Sequence, residues 1–204
     1  MREYNFQCRK ALPSDNVAAI AKYLHLTDPY IYPKVCKNPI GKNWVEFVGS
    51  CMKTENNIFN IQHISVILDS NDIVGVSCVI PCGIKLCITD GIDNISEDFI
   101  NNLNPVIKGY FQPLIDESIS YHGYNITNIC VDKDYRNKGL GHLLMEHCID
   151  AYGSKIIHLD VIASNKPAIS LYKKFGFTVS NGYYGYSGDD TELLCYHMIR
   201  LPNK

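Results

Sequence analysis

The chain has 204 residues, of which 46% are hydrophobic and 20% charged, with a formal net charge of -2. These are the values of a globular chain long enough for one good core, and they exclude a disordered polymer. The near-neutral balance leaves no general attraction for nucleic acid or an anionic membrane, so any phosphate binding must be local and built mostly from backbone.

Nine cysteines are present, an odd number, and none has C-x-x-C spacing. Most sit in apolar runs such as Val76-Ser77-Cys78-Val79-Ile80, where a free thiol behaves as a small hydrophobe. The opening Met1-Arg2-Glu3-Tyr4 starts no apolar leader, and no run approaches the ~20 apolar residues of a membrane span. The expectation is a cytoplasmic protein with reduced thiols, acting as a monomer or homodimer without nucleic acid, membrane or metal.

In chain order, residues 5–10 read as a strand. Asp15 is expected to cap a helix through Leu24, with Val17, Ile20, Ala21 and Leu24 on one face. Pro29 and Pro33 flank Tyr30 and Tyr32 and forbid a continuous helix there. Trp44, Phe47, Val48 and Cys51 predict a helix over 43–53. Two strands follow, 61–68 and 73–80, joined by a hairpin turn at Ser70-Asn71-Asp72; the first alternates as if half-buried. Residues 82–123 read as a helical insertion, interrupted at Pro105 and Pro113 and packed over a site.

The last third is more regular. Strand 124–131, helix 139–152, strand 156–162 and helix 166–175 alternate. Strands 177–179 and 193–201 close the chain, with Ser180 to Tyr186 as their connection. This order predicts one α/β domain over 1–204 with a mixed sheet flanked by helices.

One stretch carries chemistry most clearly: Val131-Asp132-Lys133-Asp134-Tyr135-Arg136-Asn137-Lys138-Gly139-Leu140-Gly141-His142. It reads as a strand, a loop and a helix opened by two glycines. Free N–H groups and the helix dipole make that end an anion site, and glycine lets a bulky anion approach the backbone. Arg136 and Lys138 add charge. The same pattern also describes an ordinary turn. It is neither a Walker loop nor a dinucleotide fingerprint. A second stretch is Asn165-Lys166-Pro167-Ala168-Ile169-Ser170-Leu171-Tyr172-Lys173-Lys174-Phe175-Gly176-Phe177. Asn165 caps a helix there, and Tyr172 lies about two turns in. Its phenol could donate a proton, or simply pack by its ring.

Together the two stretches resemble the GNAT superfamily of acyl-CoA-dependent N-acyltransferases. Arg136, Gly139 and Gly141 match its R/Q-x-x-G-x-G/A motif. Asn165, Ala168, Leu171, Tyr172, Gly176 and Phe177 match its second pattern. The resemblance covers residues 125–180. It implies a mostly antiparallel central sheet whose fourth and fifth strands, here 124–131 and 156–162, splay apart. It implies acetyl-CoA as donor, with pantetheine along Cys130 and Val131. The pyrophosphate would lie on the backbone of Asn137, Lys138, Gly139, Leu140, Gly141 and His142, with Arg136 beside it. Asn165 would touch the pantetheine arm, and Tyr172 would protonate the departing thiolate.

The reaction so implied is direct transfer of an acetyl group to a primary amine. A small-molecule or amino-acid-like acceptor is the first expectation, with a protein N-terminus or lysine, or a non-catalytic acyl-CoA-binding module, as alternatives. A covalent Cys130 intermediate is not expected, because an apolar strand raises a thiol pKa. Tyr30, Tyr32, Asn128 and Tyr184 are the candidate acceptor contacts. The amine must lose a proton before attack. The fourth strand, Tyr124-Asn125-Ile126-Thr127-Asn128-Ile129-Cys130-Val131, contains no carboxylate to take it. Glu46, Asp90, His122 and Asp132 remain as candidate bases.

Overall fold

The computed structural model describes residues 5–28, 32–83, 97, 98, 101, 121–186 and 192–202. Among the described residues seven strands form one sheet: β1 (Phe6–Lys10), β2 (Ile64–Asp69), β3 (Asp72–Pro81), β4 (Tyr124–Val131), β5 (Ile157–Ile162), β6 (Thr178–Tyr186) and β7 (Glu192–Arg200). Their order across the sheet is β1-β2-β3-β4-β5-β7-β6. Every neighbouring pair is antiparallel except β4 and β5, which run parallel. The fold is the mixed, mostly antiparallel α/β sheet expected.

Helices cover both faces. On one side, α1 (Val17–Leu26) and α3 (Lys42–Lys53) flank the one-turn helix α2 (Tyr32–Val35). Ile20, Leu24, Trp44 and Phe47 pack there against Ile64, Val66 and Val76 of the sheet. The buried indole is satisfied, since Trp44 Nε1 donates to the Ala21 carbonyl at 2.7 Å. On the other side lie α4 (Leu140–Tyr152) and α5 (Lys166–Lys174). Met145, Cys148, Ile169 and Tyr172 pack against Ile126, Ile157, Leu159 and Val161. Among the described residues no helix is long and apolar enough to cross a membrane.

Several expectations are corrected. Asn16, not Asp15, caps α1, its side chain accepting from Ala19 N. Asp15 is instead held by Arg9 through two bonds of 2.7 Å. The bidentate guanidinium competes better for the carboxylate than a helix amide does. β2 is buried along its whole length rather than half-buried, because α4 covers the face that Ile67 presents. Asp69, buried with it, accepts from the Tyr135 hydroxyl at 3.0 Å. Residues 180–186 are not a loop. They belong to β6, which pairs with β7 as far as Tyr186 opposite Glu192. Two glycines concealed this strand, and an edge strand tolerates them. Of the insertion expected over 82–123, Glu97, Asp98 and Asn101 are helical, and residues 84–96, 99–100 and 102–120 lie outside the described residues.

Candidate active site

β4 and β5 pair only at Tyr124–Ile157, Asn125–His158 and Ile126–Leu159. Beyond Leu159 the two strands part, as expected. The β3–β4 register supplies a reason. Cys78 pairs Asn128 while Val79 pairs Ile126, so Thr127 is one residue too many. A bulge of this kind bends and twists its strand. It also switches faces, with Ile126 joining the α4–α5 core and Cys130 the α1–α3 core.

The gap holds a cavity of about 220 Å³, which reaches both faces of the sheet. Thr27, Asp28 and Tyr32 line it from the α1–α2 side. Asn165 and Tyr172 line it from α5, and Tyr183 and Cys195 from the last two strands. β4 contributes residues 125–129 and β5 residues 159–162.

Tyr172 is buried, and burial first, then the Cys148 thiol, pushes its pKa up to about 12. The phenol therefore keeps its proton at neutral pH and can act as a donor. Asn165 caps α5 through its side-chain oxygen, which accepts from Ala168 N at 3.3 Å. The cap thus fixes both the start of α5 and the register of Tyr172.

α4 starts at Gly139, whose φ of 83° and ψ of 0° are left-handed, and no side chain caps it. The amides of its first turn are thus left for a ligand. A Cβ on Gly139 would meet nothing within 4 Å, so space lies open in front of the loop. Gly141 differs: its Cβ would stand 3.2 Å from Leu171 Cδ2. That glycine lets α5 approach α4, besides any contact with an anion.

The flanking charges fold back on the loop. Arg136 Nε donates to Val131 O at 3.4 Å, and Lys138 Nζ to Asp134 O at 2.7 Å. His142 is exposed and faces Glu146 at 3.3 Å. Asn137, at φ 61°, completes the turn into Gly139.

Cys130 is buried, and burial pushes its thiol up to about 11, so it keeps its proton at neutral pH. Asn128 spans the sheet and the α1 end. Its Nδ2 donates to Thr27 Oγ1 at 2.6 Å and to the Tyr32 hydroxyl at 3.3 Å. Its Oδ1 accepts from Thr127 at 3.0 Å. Tyr32 sits in helix α2 rather than a loop, 5.3 Å from the Trp44 ring. Tyr30 lies outside the described residues. Tyr184 is placed only by its backbone, opposite Leu194 on β6.

Of the expected bases, none described lines the cavity. Asp90 lies outside the described residues. Glu46 pairs with Lys42 on the exposed face of α3, at 3.7 Å. Burial opposes the ionised form of Asp132, but the Asp134 amide, Lys22 and Tyr23 outweigh it and hold the carboxyl at about 2. Such a weak base ties α1 to the loop instead, with Lys22 at 3.0 Å and Tyr23 at 2.8 Å. The sequence reading missed Asp160, which lines the cavity from β5 and contacts His197 at 3.0 Å. The period-two spacing of His158 and Asp160 was the available signal.

The model of the acetyltransferase (GNAT) family matches residues 93–177, which include both motifs. That match supports the GNAT superfamily for this chain. Over 79 residues it is 40% identical to the ribosomal protein bS18-alanine N-acetyltransferase of Escherichia coli, covering 36% of this chain and 49% of that protein. Over 111 residues it is 31% identical to the N-alpha-acetyltransferase of Sulfurisphaera tokodaii, covering 47% of this chain and 66% of that one. The chain thus spans about half the length of the Escherichia coli relative. Its fold matches the crystal structure of an N-acetyltransferase from Staphylococcus aureus Mu50 with a TM-score of 0.72 and 18% identity, over 95% of this chain and 99% of that one.

Proposed function

We propose that this chain is an acetyl-CoA-dependent N-acetyltransferase of one domain that acts on the α-amine of a protein or peptide. The carrying observation is the parting of β4 and β5 after Leu159, with Tyr172 lining the cavity so opened. The donor would enter from the α4–α5 side. Backbone amides from Asn137 to His142 would hold its pyrophosphate, steadied by Arg136 and Lys138. The uncapped α4 start and the open space before Gly139 fit such a group. Cys130 and Val131 would line the pantetheine arm by their backbone, with Asn165 at its inner end.

Acceptors would enter from the α1–α2 side, past Asp28, Tyr32 and Asn128, with Tyr30 and Tyr184 as outer contacts. Backbone N–H groups freed where β4 leaves β5 would polarise the thioester carbonyl. Tyr172 would give its proton to the departing thiolate. The names of the relatives support a protein α-amine. The modest cavity favours the competing acceptor, a small amine.

Steady-state thiol release separates these readings. Acetyl-CoA is offered with a peptide bearing N-terminal alanine, then with lysine, spermidine and free amino acids. The proposal expects turnover with the peptide at a kcat/KM at least about tenfold above any small amine. The reverse order would transfer the proposal to a small acceptor. Acetyl-CoA binding with no thiol release would leave an acyl-CoA-binding module.

A further inference from the structure

This inference rests on the N-acetyltransferase reading and concerns the proton that the acceptor must lose. An α-amine has a pKa of about 8 and is mostly ammonium at neutral pH. β4 has no carboxylate to take the proton, but β5 does.

Alternation along β5 puts His158 and Asp160 on one face, opposite Leu159 in the α4–α5 core. Asp160 is the first residue past the last β4–β5 pair, so it stands where the strands part. The β5–β7 register sets His197 directly across from it. His197 Nδ1 lies 3.0 Å from Asp160 Oδ1. His158 Nδ1 lies 3.2 Å from His197 Nε2, and His158 Nε2 lies 3.1 Å from the His122 carbonyl oxygen. Tyr121 stacks over both rings, with centroids at 4.7 and 5.0 Å. The Asp160 side chain is 29% exposed and that of His197 only 6%. A carboxylate therefore meets the cavity, with two enclosed imidazoles behind it.

Counting hydrogens gives this chain a direction. A carbonyl oxygen only accepts, so His158 Nε2 carries a hydrogen. The other two contacts need one hydrogen each, which makes three. Two neutral imidazoles and a carboxylate supply only two. In that state one contact sets lone pair against lone pair. A third proton, lodged between Asp160 and His197, completes every bond and cancels the net negative charge of the group. Low exposure favours that neutral total. Burial lowers the His158 pKa, against the opposing hydrogen bond to the His122 carbonyl.

We propose that the Asp160–His197–His158 chain is the proton acceptor of the reaction. Asp160 meets the amine directly or across one water, and the histidines are positioning residues. The ammonium N–H bond breaks, its electron pair stays on nitrogen, and the proton lodges between Asp160 and His197. Nitrogen then bonds the acetyl carbon, the C–S bond breaks, and the thiolate takes the Tyr172 proton. A second proton leaves the new amide nitrogen and restores Tyr172. The proton on Asp160 returns to solvent. Asn125 Oδ1, buried without a hydrogen-bond partner among the described residues, offers a second acceptor to the ammonium. Besides Tyr121, the described titratable groups that share the cavity with Asp160 are Asp28, Tyr32, Tyr172, Tyr183 and Cys195.

The test compares wild type, Asp160→Asn and His197→Asn, using acetyl-CoA and the alanine peptide from pH 6 to 10. Asp160→Asn is expected to bind acetyl-CoA normally and to lose about 100-fold or more in kcat/KM at neutral pH. The gap narrows above pH ~8, where the amine arrives already neutral. His197→Asn is expected to move the acidic limb of the profile to lower pH. Asp160→Asn within about threefold of wild type, with the same profile, overturns the inference and leaves the N-acetyltransferase reading standing. If Asp160→Asn fails to fold, the His197→Asn limb decides, and an unmoved limb overturns the inference. A wild-type chain that binds acetyl-CoA yet acetylates no amine overturns the reading and this inference with it.

Discussion

Asn128 Nδ2 reaches Thr27 Oγ1 at 2.6 Å and so joins the bulged strand β4 to the end of α1. Thr27 in turn donates to the Leu24 carbonyl at 2.6 Å. The α1–α2 side of the cavity is thus fastened to the strand that parts from β5. Asn128→Ala removes the hydrogen bonds to Thr27 Oγ1 and the Tyr32 hydroxyl, each worth about 0.5–1.5 kcal/mol. Urea unfolding should show that loss. The KM for the amine should rise more than the KM for acetyl-CoA, because α1 and α2 line the side proposed for the acceptor.

Tyr172→Phe keeps the ring that packs 6.1 Å from Phe177 and removes only the hydroxyl. Stability and acetyl-CoA affinity should stay near wild type. The kcat should fall about 100-fold or more, the usual worth of a positioned acid. An unchanged kcat in the same thiol-release assay would take Tyr172 out of the mechanism.

The two glycines of the α4 start should respond differently. Gly139→Ala is strained by its φ of 83° and costs about 1 kcal/mol, with no new clash. Gly141→Val drives a branched side chain toward Leu171, which already sits 3.2 Å from an added Cβ. That change should push α5 away, weaken acetyl-CoA binding and lower kcat together, since Asn165 and Tyr172 ride on α5. Titration calorimetry and turnover on the two variants measure the difference.

Asp132 has its pKa held at about 2, below the ~3.9 of a free carboxylate. A depressed folded-state pKa contributes stability above the unfolded value and loses it as pH falls through the folded one. The contribution should be complete above pH ~4 and gone by pH ~2. Asp132→Asn should flatten the stability–pH curve in that window and lower stability at pH 7. Denaturation midpoints at several acidic pH values check both.

The candidate site was legible where sequence pattern and local structure coincide. Gly139 and Asn165 were readable because a helix start needs an unhindered loop and a side-chain cap, and both needs are local. The family resemblance then supplied Tyr172. The Asp160–His197 contact was hidden because it joins residues far apart in the chain through strand register, which a lone sequence does not print. Asp132 misled for the opposite reason. It lies beside the motif, yet Lys22 and Tyr23 from α1 claim it. β6 was read only over 177–179, because Gly182 and Gly185 look like loop residues until β7 is laid alongside.

The most direct test of the central claim is backbone amide hydrogen exchange with and without saturating acetyl-CoA. The account predicts slowed exchange at 137–142, at the α4 start, and at Cys130 and Val131, with little change in α3. Saturable binding that leaves those amides exchanging as before, or no binding at all, would contradict it.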